Sequence, residues 1–175
     1  DLLDVVEWLA PRVRLTYIGD GPMRQDLEAR IKARSLPIRL LGFRPRPWDA
    51  AIQAHVFVSA SSSESDGLSA VEAIARAMPV LLKDIPGHRG LPVKSMSLFS
   101  TTSDLARLVE GLVNGNTKIA DFEIEERSRR QLIEERSPTR VAIRWRNIYE
   151  KLMNSRARCA VDANLVVEDS IAIPK

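Results

Sequence analysis

A chain of 175 residues, 45% hydrophobic and 28% charged, is long enough for one domain that buries most of its apolar surface. Its 26 Lys and Arg are interspersed with 23 Asp and Glu, so the net charge of +3 forms no basic block and argues against nucleic acid as a partner. One cysteine, Cys159, excludes an internal disulfide framework, and with two histidines it is too little for a structural zinc site.

In chain order, Leu2, Leu3, Val5, Val6 and Leu9 share one face of a predicted helix that stops before Pro11. Arg12 to Ile18 alternates charged and apolar residues and predicts a strand. Gly19-Asp20-Gly21-Pro22 is a turn, and a helix over about Met23 to Arg34 follows, with Met23, Leu27 and Ile31 inward. Ile38 to Leu41 is a short strand that ends at Gly42-Phe43, and Trp48 to Gln53 a short helix. His55 to Val58 is the next strand; a serine-rich turn, Ser59 to Ser63, leads from it to a helix with Leu68, Val71, Ile74 and Ala75 on one stripe. Pro79 to Leu82 is an apolar strand, Asp84 to Gly90 a loop, and Ser97 to Phe99 a weak last strand. Helices at Asp104 to Val113, Ile119 to Glu135 and Pro138 to Asn154 complete a helical C-terminus. The domain is expected over 1–155; over 156–175 the reading is a tail, in which Leu165-Val166-Val167 either adds a strand or stays mobile.

Strands that alternate with helices, without a hairpin signal, define an α/β fold: a Rossmann-like parallel sheet with helices on both faces. Ligands of such sheets bind beyond the carboxyl ends of the strands. The Gly19 and Gly21 turn, Gly42-Phe43, the segment Ser59 to Gly67 and the loop Asp84 to Gly90 all follow strands, so they are expected on one rim.

The stretch Glu64-Ser65-Asp66-Gly67-Leu68-Ser69-Ala70-Val71-Glu72 carries the chemistry. A Ser/Gly loop that feeds a helix leaves the amides of Gly67, Leu68 and Ser69 turned outward, at the positive end of the helix dipole. Glu64 lies at the mouth and Glu72 in the second turn. Amides for phosphate and carboxylates for hydroxyls suit a nucleotide sugar. Asp66 serves as helix N-cap, and its charge would repel a diphosphate. His88 and Arg89 either meet phosphate or belong to a solvated loop, and Trp145 and Tyr149, one helical turn apart, are either core anchors or a sugar platform.

Glu64 and Glu72 stand in a Glu-x7-Glu spacing. With Phe57-Val58-Ser59-Ala60 before them and Glu72-Ala73-Ile74-Ala75-Arg76-Ala77-Met78-Pro79-Val80 after, the block resembles the retaining GT-B glycosyltransferases of the "glycosyltransferases group 1" type. Tyr17-Ile18-Gly19-Asp20-Gly21-Pro22 and Leu41-Gly42-Phe43-Arg44 resemble two further segments of that family, the second of which holds the nucleotide base on its backbone. Ala77 stands where a glycine is usual. The resemblance covers about Asp1 to Leu152 and implies the C-terminal, donor-binding half of a GT-B enzyme.

Several expectations follow from the resemblance. Glu64 contacts the donor sugar, Glu72 the ribose hydroxyls, and the amides of Gly67, Leu68 and Ser69 the diphosphate. The donor is UDP- or GDP-linked, no cofactor or metal is required, and the acceptor is a saccharide or lipid-linked. The acceptor domain and an Arg…Lys pair that neutralises the diphosphate are expected ahead of Asp1. The isolated chain should then bind donor weakly and catalyse little. No signal peptide is visible, and no apolar run approaches the roughly 20 residues of a membrane span. The expected location is cytoplasmic, with peripheral attachment to the inner face of the membrane through the full-length protein. The rival readings are a nucleotide-sugar epimerase of the same shape and a non-catalytic nucleotide-binding or interaction module.

Overall fold

The structure, a computed structural model, describes residues 1–94, 97–122 and 124–162, the last eight of these as helix backbone. The chain forms two compact units, Asp1–Leu132 and Ile133–Lys175. In order, the elements are α1 (Leu2–Leu9), β1 (Leu15–Tyr17), α2 (Arg24–Ala33), β2 (Ile38–Leu40), α3 (Pro47–Ala50), β3 (Phe57–Ser59), α4 (Leu68–Ala75), β4 (Val80–Lys83), α5 (Pro86–Arg89), β5 (Leu98–Phe99), α6 (Thr102–Val113), a 3-10 turn (Ile119–Phe122), α7 (Glu126–Glu135) and α8 (Pro138–Asp162).

All strand pairings between these elements are parallel, as the alternation of strand and helix requires. The ladder is divided: β1 pairs with β2, and β4 lies between β3 and β5. Successive residues of β4 point to opposite faces. Val80 and Leu82 enter a cluster with Ala70, Val71, Ala73 and Ile74 of α4, Leu91 and Leu132. Leu81 enters the opposite cluster, with Val5 and Leu9 of α1, Phe99, Leu105 and Ala106 of α6, and Phe122. Helices therefore cover both faces of β4, and its three apolar residues are fully buried.

α1 joins the two ladders. Its Asp1 N-cap accepts from the Leu3 and Asp4 amides, which satisfies donors the helix start would otherwise leave bare. Leu3 and Val6 pack with Leu36 and Ile38 beside β1 and β2, whereas Val5 and Leu9 face β4 and β5. The apolar positions read in the sequence are thus two stripes rather than one.

Other elements refine the expectations. Leu68 is 66% exposed, and the core stripe of α4 is Ala70, Val71, Ala73 and Ile74. A leucine in the first helical position lies at the rim, beyond the strand ends, and has no sheet to face. Met23 precedes α2 and is also exposed. After α4 the chain reverses through Ala77 at φ +57°, with the amides of Ala77 and Met78 bonded to Ile74 and Ala73. This is the left-handed C-terminal turn that glycine usually occupies, and alanine there costs roughly 1 kcal/mol.

The expected helix from Ile119 to Glu135 is a 3-10 turn followed by α7, and α8 continues past Asn154 to Asp162. Within the second unit, Trp145 and Tyr149 stack at 6.1 Å between ring centroids and are more than half exposed, so they are not core anchors. Leu165-Val166-Val167 lies outside the described residues. Among the described residues, no helix is long and apolar enough to cross a membrane.

Candidate functional site

The turns after β1 and β2 meet first. Gly19, at φ 142°, donates its amide to the Gly42 carbonyl at 2.9 Å, an antiparallel bridge between two loops whose strands run parallel. Gly42 has φ +67°, and a Cβ on it would stand 2.9 Å from Nη1 of Arg24, whose Nε donates to Glu28 at 2.8 Å. The second turn thus passes directly under a guanidinium. Phe43 follows and is 74% exposed. Gly21 lies in open space, with its amide donated to the Asp20 carboxylate at 3.0 Å.

The turn after β3 is built differently. Ser59 is buried at the strand end, and the chain crosses to α4 through Gly67, whose φ of +56° is the left-handed region that glycine enters without penalty. Gly67 is the N-cap, so the helix begins one residue later than an Asp66 cap would start it, and the cap residue itself brings no side chain. The first-turn amides, those of Leu68 and Ser69 among them, receive from it no side-chain acceptor of the kind a serine or aspartate N-cap would supply. Leu68 and Ser69 are exposed. What this end of α4 offers is anion acceptance by backbone.

α5 supports that loop from below. A Cβ on Gly87 would fall 2.2 Å from the Glu64 carbonyl oxygen and 2.8 Å from its carbon, so the two backbones approach as closely as glycine allows. The next residue, His88, is fully buried, which settles the choice between a phosphate contact and a solvated loop against both. Its Nδ1–H donates to the Lys83 carbonyl at 2.8 Å, and Nε2 is buried without a hydrogen-bond partner. The ring lies under Gly67, where an added Cβ would stand 3.3 Å from its Cδ2. Arg89 turns away to a two-pronged pair with Asp84, at 2.6 and 3.0 Å. That hydrogen-bonded guanidinium holds the Asp84 carboxyl below the usual carboxylate range and raises Arg89 in return.

Glu72 occupies the second turn of α4 and is exposed. Its Oε2 accepts from the indole Nε1–H of Trp48, on α3, at 2.6 Å. Arg76 lies over the same indole at 4.8 Å and donates from Nη1 to the Glu72 carbonyl at 3.1 Å. Phe57 flanks the ring at 6.0 Å.

The candidate residues therefore fall into three contacts: Gly19 with Gly42, Glu64 and Gly67 with the Gly87-His88 step, and Glu72 with Trp48. Trp48 and Gly87 had not been singled out from the sequence. A proline–glycine step after a strand, and a tryptophan beside Pro47 at a helix start, are the signals that could have drawn attention to them. Among the described residues, no group of three or more His, Cys, Asp or Glu is placed to hold a metal ion.

In a doubly covered parallel sheet ligands bind beyond the carboxyl ends of the strands, and the start of α4 follows the third strand there. The model of the family "Glycosyl transferases group 1" matches residues 1–134, and the chain belongs to that family. Its solved structural relatives are GT-B glycosyltransferases. The structure of TarM from S. aureus is similar over 85% of this chain and 31% of its own, at 25% identity and a TM-score of 0.71. Anabaena HepE in complex with UDP matches 87% of this chain and 44% of its own, at 22% identity and a TM-score of 0.67. The catalytic domain of a cholesterol-alpha-glucosyltransferase from Helicobacter pylori matches 76% and 87%, at 13% identity and a TM-score of 0.55. The chain thus spans less than half the length of TarM and HepE.

Proposed function

We propose that this chain is the donor-binding part of a longer glycosyltransferase, which moves a sugar with retention from a nucleoside-diphosphate sugar to a saccharide or lipid-linked acceptor. The observation that carries the reading is the start of α4 behind its Gly67 N-cap, flanked by Glu64 and Glu72, in a group 1 glycosyltransferase domain. In this reading the amides of Gly67, Leu68 and Ser69 receive the diphosphate, and Glu64 accepts hydrogen bonds from the donor sugar. Glu72 accepts from the ribose hydroxyls, and Gly42 and Phe43 frame the base, with the Gly19 and Gly21 turn beside them. The donor is UDP- or GDP-linked and no cofactor is needed. Solved structures of HepE with UDP and with UDP-glucose, and of TarM with UDP, support a uridine nucleotide as the first choice.

The remainder of the enzyme supplies the acceptor side and the cations that offset the diphosphate charge. Each charge-assisted hydrogen bond is worth roughly 1.5–3 kcal/mol, so this chain alone binds donor weakly and turns over little. Work at the cytoplasmic face of a membrane, with peripheral attachment, belongs to the same proposal. Titration with UDP, GDP and ADP, followed by Glu72→Ala with the tightest of them, is the test. Saturable binding that weakens about tenfold in the variant, about 1.4 kcal/mol, is expected. Binding that Glu72→Ala leaves unchanged would remove Glu72 from the site, and a failure of all three nucleotides to bind saturably would overturn the reading.

A further inference from the structure

Glu72 is an exposed carboxylate on a helix surface, and such a side chain ordinarily exchanges among several rotamers. Here it does not stand alone. Trp48 donates to one of its oxygens at 2.6 Å, at the short end of the range for a charge-assisted bond. Trp48 is itself held on two sides, by Arg76 at 4.8 Å over its ring and Phe57 at 6.0 Å beside it. Arg76 closes the circuit through its bond to the Glu72 carbonyl. The indole is thereby fixed, and through it the carboxylate.

An ionised carboxylate offers about four lone-pair sites, and the indole N–H uses one. Oε1 stays available as a hydroxyl acceptor, now with a set direction. A fixed acceptor selects ligands that bring a hydroxyl to it, because the ordering cost has been met before the ligand arrives.

We propose that Trp48 is a positioning residue, which orients the Glu72 carboxylate for the ribose hydroxyls of the nucleotide and so sets the preference for a ribonucleotide over a deoxygenated one. The proposal rests on the donor-binding reading above.

The experiment uses the whole chain with the tighter of UDP and GDP and with the 2′,3′-dideoxy form of the same nucleotide. Trp48→Phe keeps an aromatic ring for Arg76 and Phe57 but removes the donor. It should weaken ribonucleotide binding roughly fivefold, about 1 kcal/mol, and leave dideoxynucleotide binding unchanged. Glu72→Gln should abolish the same discrimination, and adding Trp48→Phe to it should cost nothing more. A second readout keeps the indole: with Trp8 and Trp145 replaced by Phe, Trp48 is the sole tryptophan, and ribonucleotide but not dideoxynucleotide should shift its emission. Equal weakening of both nucleotides by Trp48→Phe would mark a merely structural role and overturn the proposal. Discrimination lost in Glu72→Gln but intact in Trp48→Phe would overturn it while the donor-binding reading stands. Discrimination intact in both variants would overturn it together with the assignment of Glu72.

Discussion

The two carboxylates of the candidate site are held by opposite means. Glu64 is held through its backbone: its carbonyl rests on Gly87, and Gly67, three residues on, rests on the buried ring of His88. Glu72 is held through its side chain, by a hydrogen bond between exposed or half-exposed groups from α3 and α4. The first arrangement depends on the absence of atoms and is closed to substitution. The second depends on one donor, and a change there should alter binding with little effect on folding. Stability and ligand affinity therefore separate along one short stretch of chain.

Gly87→Ala should give the largest effect. Its methyl would enter the Glu64 carbonyl at 2.2 Å, a clash with backbone that no rotamer relieves. The loss should reach or exceed the upper end of the roughly 1–3 kcal/mol typical of overpacking, measured by denaturant unfolding, with nucleotide binding lost as well. An alanine variant of wild-type stability would break the comparison. Gly67→Ala comes next: left-handed backbone costs about 1–2 kcal/mol for alanine, and the methyl also presses on His88. Glu72→Ala should stay within about 0.5 kcal/mol of the parent in stability, while it weakens the nucleotide as described above. A large loss of stability there would erase the contrast.

The smallest effect concerns pH. Asp84 is held below its ordinary value of about 3.9 by the Arg89 guanidinium, so the pair stabilises the fold above that value. The contribution fades as pH falls through the lower folded-state value. Asp84→Asn should therefore show a shallower loss of stability below about pH 4 than the parent, followed by thermal melts across that range. Identical acid limbs would show that the pair is formed in solution too rarely to matter.

The order of strands and helices was legible because each element carries its own period, and the convergence of loops on the strand ends follows from parallel pairing alone. The misjudged residues are those whose surroundings come from distant chain. Leu68 fits a 3.6-residue stripe, but only the length of the neighbouring strands places it beyond the core. His88 stands beside Arg89 in a polar segment, and its burial arises from the way α5 folds back under Gly67. Asp66 has the chemistry of an N-cap, yet the turn needed a left-handed residue at the cap position, and glycine takes it. Trp48 and Glu72 are 24 residues apart, so no local pattern announces their bond.

α1 has a consequence for how the sequence can drift. Four of its eight residues are buried against two different ladders, and two of its exposed residues, Asp4 and Glu7, are both engaged by Arg34 of the α2 C-cap. A lineage gathering substitutions would find little neutral ground in this helix beyond Trp8, which is 62% exposed. Changes elsewhere in it would need a matching change in one of the two ladders, or a new partner for Arg34.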